Sequence, residues 1–280
     1  MPAPHEISAQ KEAEIKRHNH GNFKEVEASR PAWDHASTFR YTQTVDPSWT
    51  FGGGANGSDP AAATAQHRAI DPYAAGRPQR ANYTLLISAV VPRPIGFVST
   101  LAADGRAANL APFSFFQMLA HDPPLFVLGF ACALADAKDT LRNLVDTREC
   151  VLNIISEGFV EAANATSVNA PFGLSEWDVS GLTPAHDCEV VKPARVREAV
   201  FSVEAKVESI REIESRANPG TISSTIVTVE GVRFWAREDA YDAERDVLDG
   251  AVSVSPCAPL PPLSPFSVFS LLFVPPTLCS

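Results

Sequence analysis

Between residues 82 and 240 the chain runs through short β-type segments that follow one another closely, with no regular helical segment between each pair. Ile87–Val91 and Ile95–Leu101 are apolar and β-branched, and Pro92-Arg93-Pro94 separates them. Asp104-Gly105 is a strong turn dipeptide. Leu125–Phe130 and Cys150–Ile155 read as buried strands. In Phe201, Val203, Ala205 and Val207 apolar residues alternate with polar ones, as on a half-buried strand. Ile222–Trp235 repeats the pattern, and its phase flips at Gly231, as a β-bulge would make it. Helical signals are fewer. Leu141, Leu144 and Val145 share one helix face, Asp136 with Asp139 predicts the N-cap, and a second short helix is expected around Phe159–Thr166. Strands without regular alternation with helices exclude a doubly wound parallel sheet. They predict a mainly β barrel or sandwich with a few short helices.

Charge narrows the partners. The formal net charge is −10, so the chain lacks the basic footprint that nucleic acid or an anionic membrane surface requires. An anionic ligand must be held by a local site. No run of 18 apolar residues occurs, so no transmembrane helix is expected. The five cysteines, Cys132, Cys150, Cys188, Cys257 and Cys279, show no CxxC spacing, which argues against a disulfide framework and a zinc ribbon. The first twenty residues carry no apolar signal-peptide core, and the expected compartment is the cytoplasm.

The chain divides into three parts. Residues 1–80 are polar, hold five of the seven histidines, and read as a partly disordered N-terminal extension. Trp33, Phe39-Arg40-Tyr41, Trp49 and Phe51 are candidates for pinning it to a folded body. Residues 81–249 are the domain. Residues 250–280 form an atypical tail with no charged residue and seven of the 23 prolines, in which Phe266–Val274 is apolar but too short to span a bilayer.

Several isolated motifs do not survive their context. Gly52-Gly53-Gly54-Ala55-Asn56-Gly57 matches GxGxxG, but a turn precedes it and Ser58-Asp59-Pro60 follows it. The dinucleotide motif needs a strand before and a helix after. His18 and His20 have no further ligands at useful spacing, so no metal site is expected. No GxSxG nucleophile elbow occurs. His121 and His186 stand beside Asp122 and Asp187, where loop polarity explains them.

Residues Arg93–Thr140 are different, because several signals converge. Pro92–Thr100 is a strand that ends in two hydroxyls, Ser99 and Thr100. After the Asp104-Gly105 turn, Asn109-Leu110-Ala111-Pro112-Phe113-Ser114-Phe115-Phe116 reads as an irregular segment. Its backbone N–H and C=O groups would be open to the edge of a planar heterocycle. Lys138-Asp139-Thr140 then opens a helix, whose free N–H groups and positive dipole end suit a phosphate.

In this order the segments RPIGFVST, DG, NLAPFSFF, DPPLFVLGF, KDTLRNL and ECVLNII resemble the flavin reductase-like family of FMN-binding split barrels. Phe172-Gly173-Leu174-Ser175-Glu176-Trp177 and Ser180–Pro184 resemble the family's next segment. The resemblance covers residues 82–248, and the long polar extension is similar to that of fungal members. It implies a six-stranded antiparallel split β-barrel, a homodimer, and FMN near the subunit interface. It also implies cofactor-binding roles. Ser99 and Thr100 would lie beside the flavin or its phosphate tail, and Asn109, Leu110, Ala111 and Ser114 along the ring. Lys138, Asp139 and Thr140, with Arg93, would hold the phosphate.

The chemistry implied is hydride transfer from NAD(P)H to the flavin and onward to an unspecified acceptor, which requires no acid–base side chain. No catalytic residue is assigned; His121 is the candidate for a polar contact near the ring. Members of the family continue past the Val247-Leu248-Asp249 position into an Arg-Leu-Gly-Gly pattern and a tyrosine. Here Gly250 and the uncharged tail follow instead, as in an alternative end. Two further readings stand beside the enzyme: a flavin-binding protein with no turnover of its own, and a β-barrel interaction module with an empty pocket.

Overall fold

The computed structural model describes residues 25, 28–34, 42–61, 64–167 and 175–250. His18, His20, Phe39–Tyr41, Phe172-Gly173-Leu174, Cys257, Cys279 and the tail from 251 lie outside the described residues.

Residues 34–89 form one compact unit. Within it the Trp49 indole donates to the Gly54 carbonyl at 2.9 Å and meets Phe51 edge to face, so both aromatic rings serve their own loop. The unit ends in helix α1, Gln79–Ala89. The strand expected at Ile87–Val91 is therefore absent, and its first three residues are helical. Asn82 explains why: its amide bonds Pro72 and accepts from Arg77 at 2.8 and 2.7 Å, fixing the first turn. Once that turn exists, adding residues to it costs little even where they are β-branched.

The other unit is built on one antiparallel sheet. Its strands are β1 (Gly96–Leu101), β2 (Ala108–Phe113), β3 (Phe116–His121), β4 (Pro124–Phe130), β5 (Glu149–Ile154), β8 (Phe201–Glu214) and β9 (Ile222–Ala236). Two small ribbons, β6 (Pro184–Ala185) with β7 (Arg195–Val196) and β10 (Tyr241–Asp242) with β11 (Val247–Leu248), stand apart. The order in the main sheet is β2-β1-β5-β8-β9-β4-β3. The first and last strands of that order are consecutive in sequence, joined only by Ser114 and Phe115. Three Cα steps span at most about 11 Å, so the sheet must curl until its two edges nearly meet. That is a split barrel.

The main sheet has seven strands, one more than the expected six. The extra strand comes from Asn109–Phe116, expected to be one irregular segment. It is a regular strand in register with β1, then a break at Ser114-Phe115 where the Phe115 carbonyl accepts from Gly129 N–H at 2.8 Å, then β3. The expected bulge is present: Glu204 faces Arg233 and Ala205 faces Gly231, which leaves Val232 as the extra residue.

Two apolar layers use opposite faces of β1. Val98, Leu128, Leu152, Val203, Val227 and Val229 fill the barrel, and Leu141 and Leu144 of helix α2 (Asp139–Thr147) enter the same cluster. Phe97, Leu110, Ile155, Phe159, Trp177 and Val196 pack outside it, under α3 (Val160–Ala165) and α4 (Glu176–Ser180). Strand β1 is thus buried on both faces, which explains its unbroken apolar run. Gly96 sits where the Phe116 ring crosses it; a Cβ there would come within 2.7 Å of the ring. Gly96→Ala is expected to destabilise the domain by about 1–3 kcal/mol, read as a lowered urea midpoint with an unchanged slope.

Candidate functional site

The residues of interest meet where the end of β1, the middle of β2 and the start of α2 converge. Helix α2 begins one residue after Lys138, its N-cap, and not at Asp136, which lies in a separate 3-10 turn, Leu134–Asp136. The Lys138 side chain makes no cap hydrogen bond to the helix, so the first turn of α2 is not closed by its N-cap residue. Its acidic first-turn residue is Asp139, which pairs with Arg142 at 3.4 Å.

Register decides which predicted residues come together. Thr100 faces Asn109 across the ladder, and both point to the face that α2 covers. The Thr140 hydroxyl lies 2.7 Å from the Asn109 amide. Asn143, one turn further along α2, donates to Thr100 Oγ1 at 3.0 Å. Thr100, Asn109, Thr140 and Asn143 therefore form one buried polar cluster at the helix start. Ala111 and Ser114 follow Asn109 along the chain and are half-buried, while Lys138 is exposed and Asp139 partly so.

The other predicted residues lie elsewhere. The Ser99 hydroxyl donates to the Ala194 carbonyl on the opposite face of β1. The Leu110 side chain belongs to the outer apolar layer. Arg93 is buried and donates to the Val90 carbonyl. His121 ends β3 and is exposed.

The backbone of β2 is less open than the sequence suggests. Asn109 and Ala111 turn their N–H and C=O groups to β1, as the ladder continues from the Ala102–Ala107 bond. Ala108, Leu110 and Pro112 turn theirs outward. The Ala108 carbonyl accepts from Ser175 at 2.9 Å, Leu110 N–H donates to Glu176 at 3.3 Å, and Pro112 has no N–H.

Glu176 and Asn143 are the residues sequence reasoning missed. Asn143 carried a signal: it stands between Leu141 and Leu144 on a helix, one turn from Thr140, where a polar residue on a covered face must find partners. Glu176 carried none beyond Ser175, which caps α4 by accepting from Trp177 N–H. Glu176 is 8% exposed. Its carboxyl stands 3.3 Å from the Asn109 amide nitrogen, whose oxygen then accepts from Thr140 at 2.7 Å and from Leu110 N–H at 3.3 Å. Burial pushes the carboxyl up to about 7; the Leu110 N–H opposes this and Asp139 adds to it.

Two further groups mark the scaffold. Glu204, fully buried on β8, accepts from Glu189, Val190 and Val191 N–H and from the Trp235 indole. Burial raises this carboxyl, and those four donors outweigh it and hold it below the usual range. Cys150 lies in the barrel, where burial pushes its thiol up to about 12 and removes it as a nucleophile. Among the described residues no group of three or more His, Cys, Asp or Glu side chains is placed to hold a metal ion, and no helix is long and apolar enough to cross a membrane.

The raised Glu176 carboxyl has a thermodynamic consequence. A carboxyl that binds its proton more tightly when folded contributes most stability below its unfolded value of 4.5. That contribution falls as pH rises and is lost through about 7. Glu176→Gln is expected to remove this slope, so the difference in stability between the two proteins, followed by urea unfolding across that range, changes in one direction only.

The Flavin reductase like domain family matches the chain over residues 88–254. An uncharacterized protein of Aquifex aeolicus is 40% identical over 126 residues, 45% of this chain and 63% of its own length. The uncharacterized protein YwrF of Bacillus subtilis is 35% identical over 163 residues, 58% of this chain and 78% of its own. Among solved structures, nitrilotriacetate monooxygenase component B from Bacillus cereus superposes with a TM-score of 0.60 at 29% identity, over 67% of this chain and 89% of that one. The Pseudomonas fluorescens 2-nitrobenzoate 2-nitroreductase NbaA gives 0.54 at 27%, over 66% and 83%. A Shewanella frigidimarina protein with a split barrel domain gives 0.52 at 20%, a likeness of fold. The matched span contains the whole seven-stranded sheet and the polar cluster beside α2, and the chain belongs to the flavin reductase like domain family.

Proposed function

We propose that this protein is an FMN-binding oxidoreductase that takes hydride from NADH or NADPH. The observation that carries this reading is the start of α2. A nine-residue helix without a side-chain cap from its N-cap residue opens beside Lys138, Thr140 and the Asn109 amide, in an otherwise acidic chain. Such a helix end offers directed N–H groups and positive dipole to a phosphate. The residues present fit the group. Lys138 and the first-turn N–H groups of α2 would hold the phosphate. Ala111, Pro112, Phe113 and Ser114, on the strand that leads away from Asn109, would flank the ring. When bound, the flavin supplies the redox chemistry, accepting a hydride and passing two electrons on.

The protein's own contribution is positional. Thr100 and Asn143 brace the helix start against β1, which would help hold the phosphate site in position. The activities that the neighbours' names carry, a monooxygenase component and a nitroreductase, support an oxidoreductase whose acceptor differs from member to member. A cytoplasmic homodimer completes the proposal. Phe115, Met118 and Leu119, exposed at and beside the edge strand β3, are the apolar surface a second copy would cover.

The second reading is a flavin binder without turnover, and one feature favours it: an uncharged sequence follows Asp249, where the resemblance implies an Arg-Leu-Gly-Gly pattern. An absorbance spectrum after FMN addition and removal of excess, followed by anaerobic NADH and then NADPH, separates the two. Retained colour that bleaches supports the enzyme; colour that persists supports the binder; no retained colour overturns both. Replacing Lys138 by Ala together with Thr140 by Val is expected to weaken FMN binding by at least about tenfold, the worth of one charge-assisted hydrogen bond.

A further inference from the structure

We propose that Glu176 is a positioning residue whose protonation reverses a hydrogen-bond relay, Glu176–Asn109–Thr140, and thereby sets the affinity of the α2 start for a phosphate-bearing flavin. The proposal rests on the reading of that helix start as a flavin phosphate site. The relay joins three elements, with Glu176 on α4, Asn109 on β2 and Thr140 on α2. All three residues are more than nine-tenths buried, so each donor in the relay must find an acceptor inside it.

The direction follows from donor counting. An ionised carboxylate only accepts hydrogen bonds. Asn109 must then turn its nitrogen to Glu176 and its oxygen to Thr140, and Thr140 spends its single hydroxyl hydrogen on that oxygen, at 2.7 Å. A protonated carboxyl donates instead. Asn109 then turns its oxygen to Glu176, and its nitrogen donates to Thr140 Oγ1 at 2.7 Å and reaches Thr100 Oγ1 at 3.4 Å. Thr140 is now an acceptor, and its own hydrogen is released to an oxyanion at the start of α2. Thr140 is only 4% exposed, so what it can offer a ligand is this one directed hydrogen. The proton comes from solvent and rests on Glu176; no covalent bond between heavy atoms of the chain changes.

The charges around Glu176 act in the same sense. From α2 it faces Asp139, itself paired with Arg142. Strand β2 presents no ionisable side chain, α3 carries only the exposed Glu161, and α4 adds the exposed Asp178. Burial and Asp139 together bring the carboxyl into the neutral range, where both directions of the relay are populated.

The test is the FMN dissociation constant of the full chain, from quenching of flavin fluorescence, between about pH 5.5 and about pH 8.5. FMN's own phosphate titrates near pH 6, and that contribution is common to every variant. Wild-type affinity, measured against Glu176→Gln, is expected to fall by about tenfold as pH rises, the loss of one hydrogen bond to a charged group. The side-chain amide introduced by Glu176→Gln does not titrate, so that variant should show no reversal of the relay with pH. Thr140→Val should bind more weakly and lose the relative fall, and riboflavin, which lacks the phosphate, should show none. Matching profiles for wild type and Glu176→Gln would overturn the proposal. So would an undiminished fall in Thr140→Val, because that result assigns the effect to direct charge repulsion. FMN binding by no variant at any pH would instead remove the flavin reading on which the relay rests.

Discussion

The two-residue link between Phe113 and Phe116 is the constraint on which the rest of the domain depends. It ties together the strands at opposite ends of the sheet order, β2 and β3, so the sheet has no flat solution. Curling it creates an interior that must be filled. The β-strands fill most of it with Val98, Leu128, Val203 and Val229, and α2 closes the remaining space with Leu141 and Leu144. Placing that helix in the barrel also places its first turn against the ends of β1 and β2. The polar cluster is therefore a product of closure, with Thr100 and Asn109 supplied by the wall and Thr140 and Asn143 by the helix.

The sequence carried the strand content well because both faces of β1 and one face of β8 are buried. Burial of that kind leaves apolar runs and alternation that need no partner to be read. The bulge at Val232 was legible for the same reason, since a phase flip at Gly231 has few other causes. What failed was decided by partners. Asn109–Phe116 contains Pro112, small residues and Ser114, so it resembles a loop. Pairing with β1 makes its first half regular, and Pro112 is tolerated because its missing N–H would have faced the free edge. Ile87 has strand propensity and became helical because Asn82 had already closed a turn before it.

The site was legible in part, and the limit is instructive. Thr100, Asn109 and Thr140 were visible as hydroxyl and amide groups at the ends of predicted elements. Ser99 and Leu110, assigned with them by the resemblance, turn their side chains the other way, since neighbours on a strand point to opposite faces. Ser99 accordingly bonds Ala194, and Leu110 packs under α4. Applying the period of two to the hydroxyl pair separates Ser99 from Thr100 without a structure. Glu176 was out of reach of any such rule, since it meets Leu110 across 66 residues. Its contact with β2 exists only because α4 lies over the outer layer.

Helix α2 is clamped at both ends. Its last turn passes into Arg148, which takes a left-handed backbone conformation and reaches across to the Val207 and Glu208 carbonyls of β8. Its first turn is braced by β1 and β2. A helix held in this way cannot exchange its inward residues freely, because Leu141 and Leu144 answer to the barrel while Thr140 and Asn143 answer to the cluster. A substitution at any of these four positions is therefore constrained by two partners at once. The exposed side of β3, where Met118 and Leu119 face outward, carries no such double obligation.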